Sequence, residues 1–201
     1  METITLPHLP HSPIQACLFK NVQNAAFLRQ QLLQGNTDFE YAFLDASVLV
    51  SRSHVLAACF RAISDSLNGR LKSRNVHSEI VFSLSPNNNV SQCQFLHFNL
   101  HDRSPTTQIA ESFRRFGIQD TSTHIVAVKV LKTPEQSVAE HLAANVQGEL
   151  VALTDEALAS VKDDSRIRKI YRLDQPKKGE SAVLGKEAES FIIGSMALKG
   201  A

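Results

Sequence analysis

Apolar positions recur along the chain with two periods, and the switches between them predict the elements. Residues 14–19, IQACLF, form a dense apolar run of strand length. NAAFLRQQLLQG (24–35) follows, with Ala25, Leu28 and Leu32 on one helical face and Gly35 as the stop. A short apolar piece, ASVLV (46–50), leads to Ser51 and Ser53, either of which can cap a helix. In HVLAACFRAISDSLNG, residues Val55, Cys59, Ile63 and Leu67 recur every four positions, with Leu56 and Phe60 beside them. So wide a stripe predicts a buried helix, ending at Asn68-Gly69.

EIVFSL (79–84) predicts a strand, cut by Pro86 and followed by Asn87, Asn88 and Asn89. IAESFRRFG (109–117) predicts a helix with Ile109, Phe113 and Phe116 on one face. HIVAVKVL (124–131) is valine-rich and predicts a strand. Pro134 opens a helix to residue 148, with Val138, Leu142 and Val146 aligned. ELVAL (149–153) is a short strand, and Thr154 caps DEALASV. SRIRKIYRL (165–173) is basic and amphipathic, residues 174–181 are a polar linker, and a last helix spans 181–198. Strands and helices mix without a regular βαβ repeat. The expected class is α/β (α+β): one domain, 1–201, with a small mixed, largely antiparallel sheet flanked by helices.

Composition narrows the class. Apolar residues make up 43% of the chain and charged residues 20%, as in a globular domain. A net charge of +1 gives no global basic field, so a nucleic-acid contact would need a local patch. Cys17, Cys59 and Cys93 are odd in number and contain no C-x-x-C pair, which disfavours a zinc knuckle or a disulfide scaffold. No apolar run reaches the roughly 18 residues of a membrane span, and METITLPHLPHSP lacks the pattern of a signal peptide. A soluble protein of a reducing, intracellular compartment is expected.

Few residues suggest catalysis. His8 and His11 lie in a Pro-rich leader, and His97 and His101 are four apart, but none joins a carboxylate at a metal-binding spacing. There is no G-x-S-x-G elbow and no Gly-rich phosphate loop. His77 and Glu79 could form an acid–base pair of a hydrolytic or small-molecule-binding domain. A loop-to-strand junction would instead put neighbouring side chains on opposite faces.

Two basic clusters remain. Arg166, Arg168, Lys169 and Arg172 suit a solvated face. Arg70, Lys72 and Arg74 alternate with Leu71, Ser73 and Asn75, so an extended loop would align three cations for phosphates. The final segment carries Phe191, Ile192, Ile193, Met196 and Leu198. That is too apolar for an exposed tail, so the helix either docks on its own domain or offers a face to a partner.

Five stretches carry a family resemblance: LFKNVQNAAFLRQQL, GRLKSRNVHSEIVFSLSPNNN, IAESFRRFGIQDTSTHIVAVKV, VQGELVAL and IRKIYRL. In order and over nearly the whole chain, they resemble the PRPK-binding protein family, the small subunit of the KEOPS (EKC) complex. The resemblance implies a non-catalytic subunit without cofactor or metal. Its direct partner would be the small atypical kinase/ATPase subunit, with the remaining KEOPS subunits reached indirectly. It would also bind tRNA, including the 3′ CCA end, in support of threonylcarbamoyladenosine formation at position 37. The implied setting is nucleus and cytoplasm, with links to telomeric chromatin and transcription, and no membrane. On this reading Arg70, Lys72, Arg74 and Asn75 are the expected tRNA contacts. Ile192, Ile193 and Met196 of the C-terminal partner-binding helix (181–198) are the expected kinase contacts. Gly194 stands where the family usually has a larger residue.

In the family pattern the asparagine turn runs directly into the helix that ends F-G-I. Here 19 residues, 90–108, separate Asn89 from Ile109. They can be a natural loop insertion, which surface junctions tolerate. They also have the features of a retained intron: Val90-Ser91-Gln92 can be encoded with a splice-donor start, Gln108 with an acceptor end, and the reading frame is kept. If translated, the segment is expected to be an exposed, poorly ordered loop. Its Phe95, Leu96 and Phe98 would then be an aggregation risk.

Overall fold

A computed structural model describes residues 1–86, 105–131, 137–174 and 183–198. Its strands are β1 (Glu2–Ile4), β2 (Ile14–Lys20), β3 (Ala42–Asp45), β4 (Ile125–Val130) and β5 (Glu149–Val151). Its helices are α1 (Ala25–Gln34), α2 (Arg52–Leu67), α3 (Val76–Ser83), α4 (Pro105–Phe116), α5 (Ser137–Asn145), α6 (Asp155–Ala159), α7 (Asp164–Tyr171) and α8 (Lys186–Ala197).

The sheet order is β3-β4-β2, with β1 and β5 sharing the outer edge of β2. Every pairing among the described residues is antiparallel, so the expected α+β architecture stands with an antiparallel sheet. Ile14 faces Val130, and Phe19 faces Ile125, along the central β2–β4 ladder.

Period-two alternation sends side chains to opposite faces of this sheet. Ile14, Ala16, Leu18, Val126 and Val128 enter one core, beneath α2, α3, α7 and α8. Cys17, Phe19, Phe43, Ile125 and Ala127 enter the other, beneath α1 and α5. Both faces are covered, so the strands read as continuous apolar runs. Burial pushes the Cys17 and Cys59 thiols up to about 12, which leaves both inert.

One element departs from the expectation. EIVFSL is not a strand but most of α3. Asn75 caps it, its side chain accepting from the Ser78 amide at 2.8 Å. His77, Glu79, Ile80, Val81, Phe82 and Ser83 are all buried. A short helix enclosed on every side shows no polar stripe, so its apolar run imitates a buried strand.

Strands β1 and β3 lie outside the expected elements, and residues 46–48 of ASVLV form a 3-10 turn; the other expected elements match in kind and shift at their ends. Ser51 caps α2 through the His54 amide, Thr154 caps α6 through Ala157, and Gly35 closes α1 in the left-handed region at φ 69°. Helix α4 starts at Pro105, inside the 90–108 segment, rather than at Ile109. Residues 87–104 of that region, with His97, His101, Phe95, Leu96 and Phe98, lie outside the described residues. So does Pro134. The expected 181–198 helix is described from Lys186. No described helix is long and apolar enough to cross a membrane.

Candidate functional site

Residues 70–75 join α2 to α3 and separate two clefts. Backbone bends at 72–75 replace the expected extended loop. Their cause is Glu79, only 2% exposed, which reaches back from the first turn of α3. Its Oε2 accepts from the amides of Lys72 (3.0 Å) and Ser73 (2.8 Å) and from the Ser73 hydroxyl (2.6 Å). A buried carboxylate is tolerated where several donors replace its hydration.

Arg70, Lys72 and Arg74 are exposed, while Leu71 and Ser73 are half-buried. The bends nevertheless send the cations to different clefts. Arg70 and Lys72 border a cleft of about 550 Å³ between α2 and α8, and Arg74 borders one of about 720 Å³ formed by α1, α3 and α4. Arg70 is partly neutralised by Asp65 at 3.1 Å. Lys72 and Arg74 have no ion-pair partner among the described residues, so their charge is the more available. Asn75 is occupied structurally: besides capping α3, its amide nitrogen donates to Glu40 Oε1 at 2.7 Å.

The larger cleft combines Arg74 with the aromatic residues Phe39, Tyr41, Phe43 and Phe113. Gly35 allows Arg74 into this position. A Cβ there would stand 3.1 Å from Arg74 Nη1, so the missing side chain lets the guanidinium lie against the end of α1. This wall comes from residues more than 70 positions apart, and no local signal brings them together.

His77 lines the same cleft at 5% exposure. Its Nε2 accepts from the Val130 amide at 3.1 Å, which assigns the ring proton to Nδ1. Burial, with the Lys129 cation as a lesser cause, drives its pKa down to about 3. The ring is therefore neutral, and the 4.0 Å approach of Nδ1 to Glu40 is neither an ion pair nor a hydrogen bond. His77 and Glu79 do not form the acid–base pair that the sequence allowed, because each is directed at different partners. They are not split inward and outward either, since both are buried in a helix.

The second basic cluster is partly structural. Arg166 Nη1 binds Asp45 and the Ser47 hydroxyl, both at 2.8 Å, and Arg168 reaches the Asp174 carbonyl at 2.6 Å.

The C-terminal helix docks on its own domain. Ile192 and Met196 are 0% and 2% exposed and belong to the core under α2. This corrects the expectation that these two residues face a partner: residues four apart on a helix share the inward face. Arg61 donates to the Met196 carbonyl, and the Ser51 hydroxyl donates to Glu189 at 2.5 Å, fixing both ends of α8. Ile193 is only half-buried and lines the smaller cleft with Phe60. Phe191 and Leu198, seven apart, are 58% and 63% exposed and form an apolar ridge on the outer side. The i, i+7 spacing of these two residues was visible in the sequence; which face was buried was not.

A family model described as kinase binding protein CGI-121 matches residues 19–103 and 98–200, and the two matches meet within 90–108. The chain is similar to the EKC/KEOPS complex subunit cgi121 of Aspergillus fumigatus, 49% identical over 205 residues, covering 100% of this chain and 97% of the relative. The EKC/KEOPS complex subunit CGI121 of Coccidioides immitis is 41% identical over 222 residues, covering 100% and 98%. That of Schizosaccharomyces pombe is 31% identical over 196 residues, covering 97% and 98%.

Proposed function

The chain belongs to the CGI-121 kinase-binding protein family, and from that membership we propose that it is a non-catalytic EKC/KEOPS subunit that binds the small kinase of the complex and tRNA. The observation that carries this reading is similarity over essentially the full length to proteins named as EKC/KEOPS subunits.

The kinase contact falls on the outer side of α8. The exposed Phe191 and Leu198 take the place of the buried Ile192 and Met196, while Ile193, about 200° round the helix from Phe191, keeps its expected role only from the opposite flank, at the α2–α8 cleft. An aromatic anchor surrounded by smaller apolar groups suits the centre of a protein interface.

The tRNA contact falls on the 70–75 loop. Lys72 and Arg74 supply cations to phosphates, with Arg70 at the edge of the same loop and Asn75 holding its far end in place. The cleft beside Arg74 receives the unpaired 3′ CCA end, for which it offers an arginine plane and aromatic walls. The subunit thereby supports threonylcarbamoyladenosine formation at tRNA position 37. It acts in nucleus and cytoplasm, including telomeric chromatin.

Titration of the purified protein with the same organism's small KEOPS kinase, and separately with tRNA, tests the reading. One-to-one kinase binding is expected. Lys72→Glu combined with Arg74→Glu should weaken tRNA binding at least ten-fold and reduce its salt dependence. Absence of kinase binding would overturn the complex assignment. Tight tRNA binding by the double variant would overturn the loop assignment.

A further inference from the structure

Most of the larger cleft is apolar, and one polar atom at its wall has no use within the fold. His77 Nδ1 is buried and has no hydrogen-bond partner. Its surroundings explain why. Val130 occupies the opposite ring nitrogen. Glu40, the nearest carboxylate, is 4.0 Å away and is engaged by the Asn75 amide at 2.7 Å. Buried polar groups are nearly always paired, so an unpaired donor in the wall of a large cleft points to a ligand atom.

The ligand class follows from what surrounds that donor. A fixed, neutral N–H requires an acceptor, such as a ring nitrogen or carbonyl oxygen. Half-buried Phe113 offers flat apolar contact, backed by the buried rings of Phe39 and Tyr41, and Arg74 offers a cation at the border. An acceptor on a flat ring, joined to an anion, describes an unpaired nucleotide. The volume, about 720 Å³, lies within the range of small-ligand pockets.

We infer that His77 is a specificity-determining residue, whose Nδ1–H donates to an acceptor on one unpaired nucleobase seated in the cleft between α1, α3 and α4. This rests on the tRNA reading above and assigns its base recognition to a single atom. Arg74 neutralises phosphate whatever the sequence, whereas His77 senses the base. The Val130 tether makes the donor permanent: it fixes the tautomer and the ring plane before any RNA arrives.

Two substitutions separate this role from a structural one. His77→Gln can keep an acceptor near the Nε2 position for the Val130 amide while removing the Nδ1 donor. His77→Asn can place a donor near the Nδ1 position while giving up the tether. The probes are a CCA-ended acceptor-stem RNA and three copies of it, each with one abasic nucleotide among the last three positions. Wild-type protein should bind one abasic RNA distinctly more weakly than the intact RNA. His77→Gln should lower affinity for intact RNA about five-fold, the worth of one neutral hydrogen bond. It should leave affinity for that one abasic RNA unchanged, and His77→Asn should recover part of the loss.

Equal loss by His77→Gln on all four RNAs would overturn the inference, because it would mark general damage. Unchanged affinity for the intact RNA would also overturn it. If wild-type protein binds none of the RNAs, the tRNA reading itself fails and takes this inference with it. If it binds all four equally, tRNA binding stands and base reading by His77 falls.

Discussion

Glu79 accepts hydrogen bonds from both the amide and the hydroxyl of Ser73, at 2.8 and 2.6 Å, from a position six residues ahead in the chain. A third bond, from the Lys72 amide, makes this carboxylate the fastener of the basic loop. Glu79→Ala should therefore leave several donors without an acceptor and cost about 3 kcal/mol of stability. Glu79→Gln, which keeps an acceptor oxygen, should cost less. Urea unfolding of both variants checks the order. The weaker, uncharged bonds of Glu79→Gln should also loosen the loop, so tRNA affinity should fall while kinase affinity holds. Equal stability of the two variants, or tRNA binding untouched in both, would remove Glu79 from this role.

The docked α8 changes how its residues respond to charge. Met196→Glu would bury an unpaired carboxylate in the core and should destabilise the fold by about 4 kcal/mol. Its loss of kinase binding would then report unfolding and not contact. Phe191→Glu is placed on the exposed ridge and should leave the urea midpoint nearly unchanged while weakening kinase binding more than ten-fold. Ile193→Glu, half-buried on the opposite flank at the α2–α8 cleft, should weaken kinase binding less and cost some stability. Kinase affinity unaffected by either of these two changes would move the contact off α8.

Gly194 offers a gain in the same helix. It is exposed, its φ is ordinary, and a Cβ there meets nothing within 4 Å. Gly194→Ala should add about 1 kcal/mol by helix propensity. Thermal or urea unfolding reads this directly.

Much of this architecture could be seen in the sequence, for physical reasons that differ by element. Helix α2 exposes one side, so the stripe of Val55, Cys59 and Ile63 is legible, although Leu67 and Phe60, expected with it, are exposed; Ser51, Thr154 and Gly35 announce real helix ends. The β2 and β4 runs are apolar because the sheet is covered on both faces. Helix α3 was hidden by the same property: burial on every side erased its period. Asn75 before an apolar run was the available clue, since asparagine is a strong N-cap. The basic loop was recognisable from its alternating cations, but its bends depend on Glu79, and the pairing of Glu79 with Ser73 requires the helix. The cleft that gathers Gly35, Arg74, His77 and Phe113 is a product of tertiary packing, with no local pattern to announce it.

His54 and His77, both buried, give the fold a defined acid response. His54 is fully buried; the Val50 amide donates to its Nδ1 at 3.3 Å, and its Nε2 lies 2.9 Å from the Tyr171 hydroxyl, which donates to the Leu84 carbonyl at 2.6 Å. Burial lowers its pKa to about 3, as for His77. Unfolded histidine titrates near 6.5, so between these values the unfolded chain binds more protons than the folded one. Their contribution is fully present above pH ~6.5 and is lost as pH falls from there toward 3, at up to about 1.4 kcal/mol per unit for each histidine. Unfolding free energies from urea titrations at about pH 7.5 and 5.5 should differ by roughly 2–3 kcal/mol. His77→Gln should remove about half of that difference. A midpoint that does not change over this range would mean that neither ring is held neutral.

Residues 90–108 make a prediction at the level of the transcript. The family-model matches meet within this segment, and α4 continues from its last residues into Ile109. Removing all 19 residues would join Asn89 to Ile109 and would place an asparagine directly before the helix as its cap. The mature transcript should therefore lack these codons, and its sequence decides the matter. At the protein level, the chain without 90–108 should fold with at least equal stability, because the part of α4 that enters the core, Phe116 with Phe113 packed against it, lies beyond the excision. It should bind the kinase as well as the longer chain does. A transcript that carries the codons, together with a shortened chain that fails to fold, would establish the segment as an integral part of the protein.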